Sequence, residues 1–258
     1  MNAHRWEPGA YADAACAEIE RMAASVRANT LQARVPSCPD WNVRDLVEHT
    51  GRVHRWAARM VRDTAAERLD PRSFDLGLPA DDSNARAYGD WLAAGGDELR
   101  DAFASTDPDA PMWAWGADQH ARFWSRRMLH ETAVHRVDAE LARGIEPAVD
   151  GAIAADGIDE LLENLPTAAY FRPRVAELRG AGETIALRST DRDDRWLIRL
   201  GTDGFACERA AGDATVSITG STEDLLLMMY ARRARTDPRL SVEGDAQLLA
   251  RWLERSEL

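Results

Sequence analysis

Apolar residues in the first half of the chain recur at helical spacing. In residues 9–30 an alanine-rich segment places Ile19, Met22, Ala23 and Val26 on one face, which predicts a first helix, and Val35-Pro36-Ser37-Cys38-Pro39 breaks it. Asn42, followed three residues later by Asp45, has the form of a helix cap, and residues 43–60 read as a second helix. Polar, proline-containing sequence over 70–82 is a loop. Residues 85–103 then bring Tyr88, Trp91, Leu92 and Leu99 into phase as a third helix. After the loop at 107–111 a fourth helix runs over 119–143 and stops at Gly144, a glycine placed just past a helix end. Four helices joined by loops predict a bundle.

Beyond Pro147 the period changes. A helix over 151–164 leads through Pro166 and Pro173 into short strands at 185–187, 196–198 and 216–218, with a hairpin turn over 191–195. Ser221 is placed to cap an apolar helix reaching about Arg232, and residues 244–255 form a final helix. The predicted fold is an N-terminal four-helix bundle, residues 1–148, followed by a smaller C-terminal α+β domain, residues 149–258. A chain of 258 residues is long enough for each to bury its own core.

At about 100° per residue, His49 lies within about 60° of Leu46, Val53 and Met60, near the edge of the apolar arc of the second helix. Arg44, Glu48, Arg55, Arg59 and Arg62 fall opposite, as solvent residues, and His54 points well away from His49. On the fourth helix Glu131 and His135 stand four residues apart and project from one face. Trp124, Met128, Val134 and Ala142 surround them there, with Arg122, Arg126, Arg136 and Glu140 on the far side. A single histidine on an apolar face is more often a satisfied core residue, and Glu-x-x-x-His pairs recur by chance. Yet buried carboxylates and imidazoles are costly unless paired or metal-bound, so the seam His49, Glu131 and His135 is a candidate site for a divalent metal.

Two imidazoles and one carboxylate suit zinc best and leave positions open, as catalytic sites do; iron, manganese and nickel take the same donors. Asp138 and Arg127 lie within about one turn of the pair and are placed to orient a ligand from behind. His120 shares the Glu131 face about three turns away, where it would line a cavity without touching metal. The H-E-x-x-H spacing of zinc proteases is absent.

Charge and composition narrow the partners. A formal net charge of −12 argues against a nucleic acid or an anionic membrane. The longest uncharged apolar run, 225–231, is far too short to cross a bilayer, and no signal segment opens the chain, which predicts a cytoplasmic protein. Three separated cysteines, Cys16, Cys38 and Cys207, suit a reducing compartment. Every basic side chain is arginine, which excludes lysine Schiff-base chemistry. No phosphate loop, serine elbow or paired C-x-x-C motif is present. Trp6, Trp41, Trp56, Trp91, Trp113, Trp115 and Trp124 crowd the first half, where packing of the bundle is the default role. Oligomeric state leaves no mark in the sequence.

The segments Val-Pro-Ser-Cys-Pro-Asp-Trp-Asn-Val-Arg-Asp-Leu-Val-Glu-His ending at His49 and Leu-His-Glu-Thr-Ala-Val-His-Arg-Val-Asp-Ala-Glu beginning at Leu129 resemble signatures of the mycothiol-dependent maleylpyruvate isomerase family. Residues 156–160, 220–232 and 244–252 resemble that family's C-terminal α+β domain. The resemblance implies a DinB-like bundle whose metal is held by His49, Glu131 and His135. It further implies mycothiol as thiol cosubstrate, an electrophilic small molecule as partner, and isomerisation or S-transfer as the reaction. Arg232, at the arginine of the family's leucine-rich motif, is then the catalytic-site clamp for a substrate carboxylate, against the alternative of an ordinary basic residue near a helix C-terminus. This chain reads Tyr-Ala-Arg-Arg where the family pattern has glycine before the first arginine, which leaves Arg232 and Arg233 to be separated. Cys38 lies in the loop before the second helix and is expected to pack rather than react. The competing functions are a non-catalytic metal- or small-ligand-binding protein and a metal-assisted hydrolase.

Overall fold

A computed structural model describes residues 5–257. The chain divides into two compact units, one of Trp6–Ala114 with Asp118–Pro147, the other of residues 148 onward with Arg5 and Trp115–Ala117.

The first unit is a bundle of α1 (Pro8–Arg27), α2 (Val43–Arg62), α3 (Ala85–Ser105) and α4 (Ala121–Leu141). Proline opens α1, where its missing N–H costs nothing. At α2 the Asn42 side chain accepts from the Asp45 amide, and the Asp45 carboxylate accepts from the Asn42 amide, each at 3.0 Å, a reciprocal box that fixes where the helix begins. Gly144 takes a left-handed φ of +68° just beyond α4. Ile19, Met22, Leu46, Met60, Leu92, Leu99, Trp124 and Leu129 are essentially without exposure and form the core. Gly51 lets α2 meet α3 closely, since a Cβ there would fall 2.2 Å from the Trp91 ring.

Two faces expected in solvent are covered. Arg55 stacks over Trp91, 4.1 Å from the ring centroid, and donates to the Trp91 carbonyl at 2.7 Å. Arg126 and Arg136 on α4 are buried because α1 packs over that face. The Arg136 guanidinium donates to Glu18 of α1 and, at 2.5 Å, to Glu140. A helical wheel grades side chains by polarity, and arginine escapes it when its stem packs and its head is paired.

The second unit begins with α5 (Gly151–Ala168), capped by the Asp150 carboxylate, which accepts from the amides of Ala152 and Ile153. It runs past its expected end at 164 because Pro166 falls in the last turn, where one lost backbone hydrogen bond is tolerated. A short 3-10 turn, Pro173–Glu177, leads to β1 (Thr184–Ser189), β2 (Arg195–Gly201), β3 (Gly204–Glu208) and β4 (Val216–Gly220). Then come α6 (Thr222–Met229), β5 (Ser241–Gly244) and α7 (Ala246–Arg255). The sheet order is β3-β2-β1-β4-β5. β1 pairs antiparallel with β2, Leu187 opposite Trp196, and parallel with β4, Leu187 opposite Ile218. The edge strands β3 and β5 are additions to the expected set.

Asp159 of α5 accepts from the Trp196 indole at 2.7 Å and from both Nε and Nη2 of Arg209, so this acidic motif residue ties α5 to the sheet. α6 stops at Met229, short of its expected end near Arg232, with Ala231 in the left-handed region at φ +60°. Among the described residues, no helix is long and apolar enough to cross a membrane.

Candidate metal centre

The cap at Asn42 starts α2 so that His49 stands near the end of its second turn, facing α4. There His49 Nε2 and His135 Nε2 each lie 3.3 Å from the same oxygen, Oε1 of Glu131. One potential ligand atom from each of the three residues lies within 4.8 Å of the others. Side-chain exposure falls from 39% at His49 through 21% at Glu131 to 12% at His135, so the group is open on the His49 side and closed toward the core.

The groups behind these atoms are fixed. Arg127 Nη2 donates to Glu131 Oε2 at 2.9 Å, which leaves Oε1 to the imidazoles. His135 Nδ1 donates to Asp138 Oδ2 at 2.9 Å, and the Ser37 hydroxyl donates to Asp138 Oδ1 at 2.5 Å. Asp138 has no exposed surface. A carboxylate on the far nitrogen sets the tautomer and the ring orientation of a histidine ligand. Burial alone would push the Glu131 carboxyl up, but hydrogen bonds from His135 and His49 and the nearby charges of His135 and Arg127 hold it well below the usual range. Burial would likewise lower His135, and its bonds to Asp138 and Glu131 reverse this and raise it to about 9. The site is thus a paired, ordered cluster of charge inside an apolar bundle.

His54 does not join the three, yet it does not face solvent. It is fully buried, and its Nε2 donates at 2.8 Å to the Thr132 hydroxyl, which itself donates to the Met128 carbonyl. Its Nδ1 meets no partner among the described residues, and burial drives its pKa down to about 3. His120 sits at the start of α4 bonded to Asp118 and stays apart from the cluster. Cys38 Sγ lies 3.9 Å from Asp138 Oδ2, which places it at the edge of the cluster.

Of the two arginines left open, Arg233 is buried against Asp224 at 2.8 Å, with Asp237 at 3.4 Å, whereas Arg232 is half-buried and donates to the Tyr230 carbonyl at 2.8 Å. Sequence reasoning gave no role to Ser37 and took Trp41 for bundle packing. Both meet α4 across about a hundred residues, and only their position inside the motif that ends at His49 hinted at this.

Comparison with known proteins concerns the whole chain. The family model of the mycothiol maleylpyruvate isomerase N-terminal domain matches residues 12–140, and that of the same family's C-terminal domain matches residues 152–251. Among solved structures, the crystal structure of the mycothiol-dependent maleylpyruvate isomerase matches with a TM-score of 0.58 at 13% identity, over 92% of this chain and 93% of the other. A histidine-to-alanine mutant of that enzyme matches with a TM-score of 0.59 at the same identity and coverage. At such identity the likeness is one of fold. No curated protein matches the chain in sequence.

Proposed function

The chain belongs to the mycothiol maleylpyruvate isomerase family, and on that footing we propose that it is a cytoplasmic, metal-dependent enzyme. In this reading it joins a low-molecular-weight thiol, mycothiol, to an electrophilic small molecule. The adduct either collapses to an isomer or is kept as an S-transfer product.

The observation that carries the reading is the convergence of His49 Nε2 and His135 Nε2 on Glu131 Oε1, with Asp138 and Arg127 holding the atoms turned away from that point. Two imidazoles, one carboxylate and a buried outer carboxylate are the donor set of a catalytic divalent site. His49, Glu131 and His135 would hold the ion. When bound, zinc or a similar cation would supply the Lewis acidity that keeps a thiol of free pKa about 8.5 in its thiolate form at neutral pH.

The sulfur is best supplied from outside the chain, because among the described residues no cysteine joins the convergent ligand atoms of His49, Glu131 and His135, and burial raises the thiols of Cys207 and Cys16. For an isomerase, the thiol sulfur adds to one carbon of a cis double bond conjugated to a carbonyl, and the electron pair moves onto the carbonyl oxygen. Rotation about the new single bond and expulsion of the sulfur return the trans alkene. Arg232 would hold a substrate carboxylate, since a guanidinium matches that group bidentately and Arg233 is already committed to Asp224.

Elemental analysis of the purified protein beside His49→Ala and Glu131→Ala tests the first link. The wild type is expected to retain close to one equivalent of metal and the variants to lose it; wild type that stays metal-free after supplementation overturns the centre. A thiol-consumption assay with mycothiol, run with maleylpyruvate and with a general electrophile, tests the second. Turnover without any thiol would favour metal-assisted hydrolysis, and no turnover would leave a binding protein.

A further inference from the structure

Trp41 stands beside the cluster, half-buried, in the turn that precedes α2. Its ring centroid is 4.9 Å from that of His49 and 6.1 Å from that of His135, with planes tilted by 49° and 31°. The two imidazoles meet edge to face at 5.1 Å. The three rings therefore lie side by side, two of them carrying the nitrogens that approach Glu131.

The backbone that carries the indole is tied on both sides. The Trp41 amide donates to the Cys38 carbonyl at 2.8 Å, and its carbonyl accepts from the Val35 amide at 3.1 Å. The neighbouring Asn42 is locked in the cap of α2, and Ser37 of the same turn is bonded to Asp138. Trp56, Trp91, Trp124 and Trp196 give their indole N–H to Leu69, Leu76, Trp113 and Asp159. Trp41 gives its own to no described residue. Neither full burial nor an indole hydrogen bond to a described residue thus accounts for an indole at this place.

We infer that Trp41 is the specificity-determining wall of the centre, selecting an alkyl thiol over water or hydroxide as the ligand of the metal's open position. The inference rests on the metal reading given above. An aromatic face beside an open position makes contact with the methylene next to a bound sulfur, at about 25 cal/mol per Å² of apolar surface covered. Water has no such surface to cover. The indole N–H remains a donor for a polar group further along the thiol.

The test uses the full chain loaded with Co²⁺, whose thiolate charge-transfer absorption reports sulfur ligation directly. Wild type, Trp41→Ala and Trp41→Phe are titrated with 2-mercaptoethanol and, separately, with azide as a ligand lacking apolar surface. All three are expected to take up Co²⁺. Thiol affinity should fall about tenfold in Trp41→Ala, the effect of uncovering roughly two methylene groups, and recover largely in Trp41→Phe. Azide affinity should stay constant. Unchanged thiol affinity, or an equal loss for thiol and azide, overturns the wall while leaving the metal reading intact. A wild type that takes up no Co²⁺ overturns both.

Discussion

The residue that most controls the centre without facing it is Asp138. It receives the His135 ring N–H and the Ser37 hydroxyl at zero exposure, so His135 has one orientation to offer. Asp138→Asn keeps the size and removes the charge. Metal affinity is expected to drop by about 10- to 100-fold, measured by chelator competition, with a smaller drop for Ser37→Ala. Equal affinity in wild type and Asp138→Asn would show that packing alone orients the ring. The spacing of Glu131 and His135 marked this face of α4 in the sequence, and Asp138 and Arg127 with it. Ser37 and Trp41 were illegible because a helical wheel carries no information about which loop folds over it.

His54 carries a second prediction at the same scale. Burial holds it neutral, with its pKa brought from the ordinary value near 6.5 to about 3. Between those values the unfolded chain binds a proton that the folded chain refuses, so folding stability falls as pH drops from about 6.5 to about 3, by roughly 1.4 kcal/mol per pH unit. Above that window the group contributes no pH dependence. In His54→Leu the Thr132 hydroxyl still donates to Met128, and urea midpoints between pH 7 and pH 4 should fall less steeply than in wild type. Parallel slopes would sink the assignment.

Among the elements, α4 departs furthest from what periodicity suggests, because it is covered on both the side that carries Glu131 and His135 and the side turned to α1. Its Arg136 is the reason the second burial is tolerated, being paired with Glu18 and Glu140. Arg136→Met leaves Glu18 with the exposed Arg21 alone, and a loss of about 3 kcal/mol is expected from denaturant unfolding. The double variant Glu18→Leu with Arg136→Met should recover most of it, since an apolar pair of similar volume replaces a desolvated ion pair. A double variant no more stable than the single would mean that the helices need this pair for their register. The same limit of pattern reading explains the sheet. β1, β2 and β4 have apolar residues on buried positions and were visible, whereas the edge strands β3, Gly-Phe-Ala-Cys-Glu, and β5, Ser-Val-Glu-Gly, are short and carry no fully buried residue. Their existence follows from hydrogen bonding to β2 and β4, which local sequence does not encode.

Over the whole molecule, a net charge of −12 repels an anionic electrophile at long range, so an enzyme of this composition needs a local cation to hold one. The adjacent pair Arg232 and Arg233 separates into two roles by surroundings. Arg233 lies against Asp224 and Asp237 with 6% of its side chain exposed, and Arg233→Ala would take the cation from the buried Asp224 in the first turn of α6, leaving it the Ser221 hydroxyl, at a cost of about 3 kcal/mol in stability. Arg232 is half-buried and donates to a carbonyl of its own turn, so Arg232→Ala should cost clearly less stability than Arg233→Ala. Its effect should fall on the substrate instead. For an electrophile bearing a carboxylate, KM is expected to rise at least about tenfold, the loss of one charge-assisted pair, with kcat less affected. A neutral electrophile should show no change in either constant. The contrast between the two substrates is what distinguishes a clamp from a residue of the helix end: a loss of rate equal for both, or a fall in stability matching that of Arg233→Ala, would return Arg232 to the second role and leave the substrate carboxylate to be held by another group.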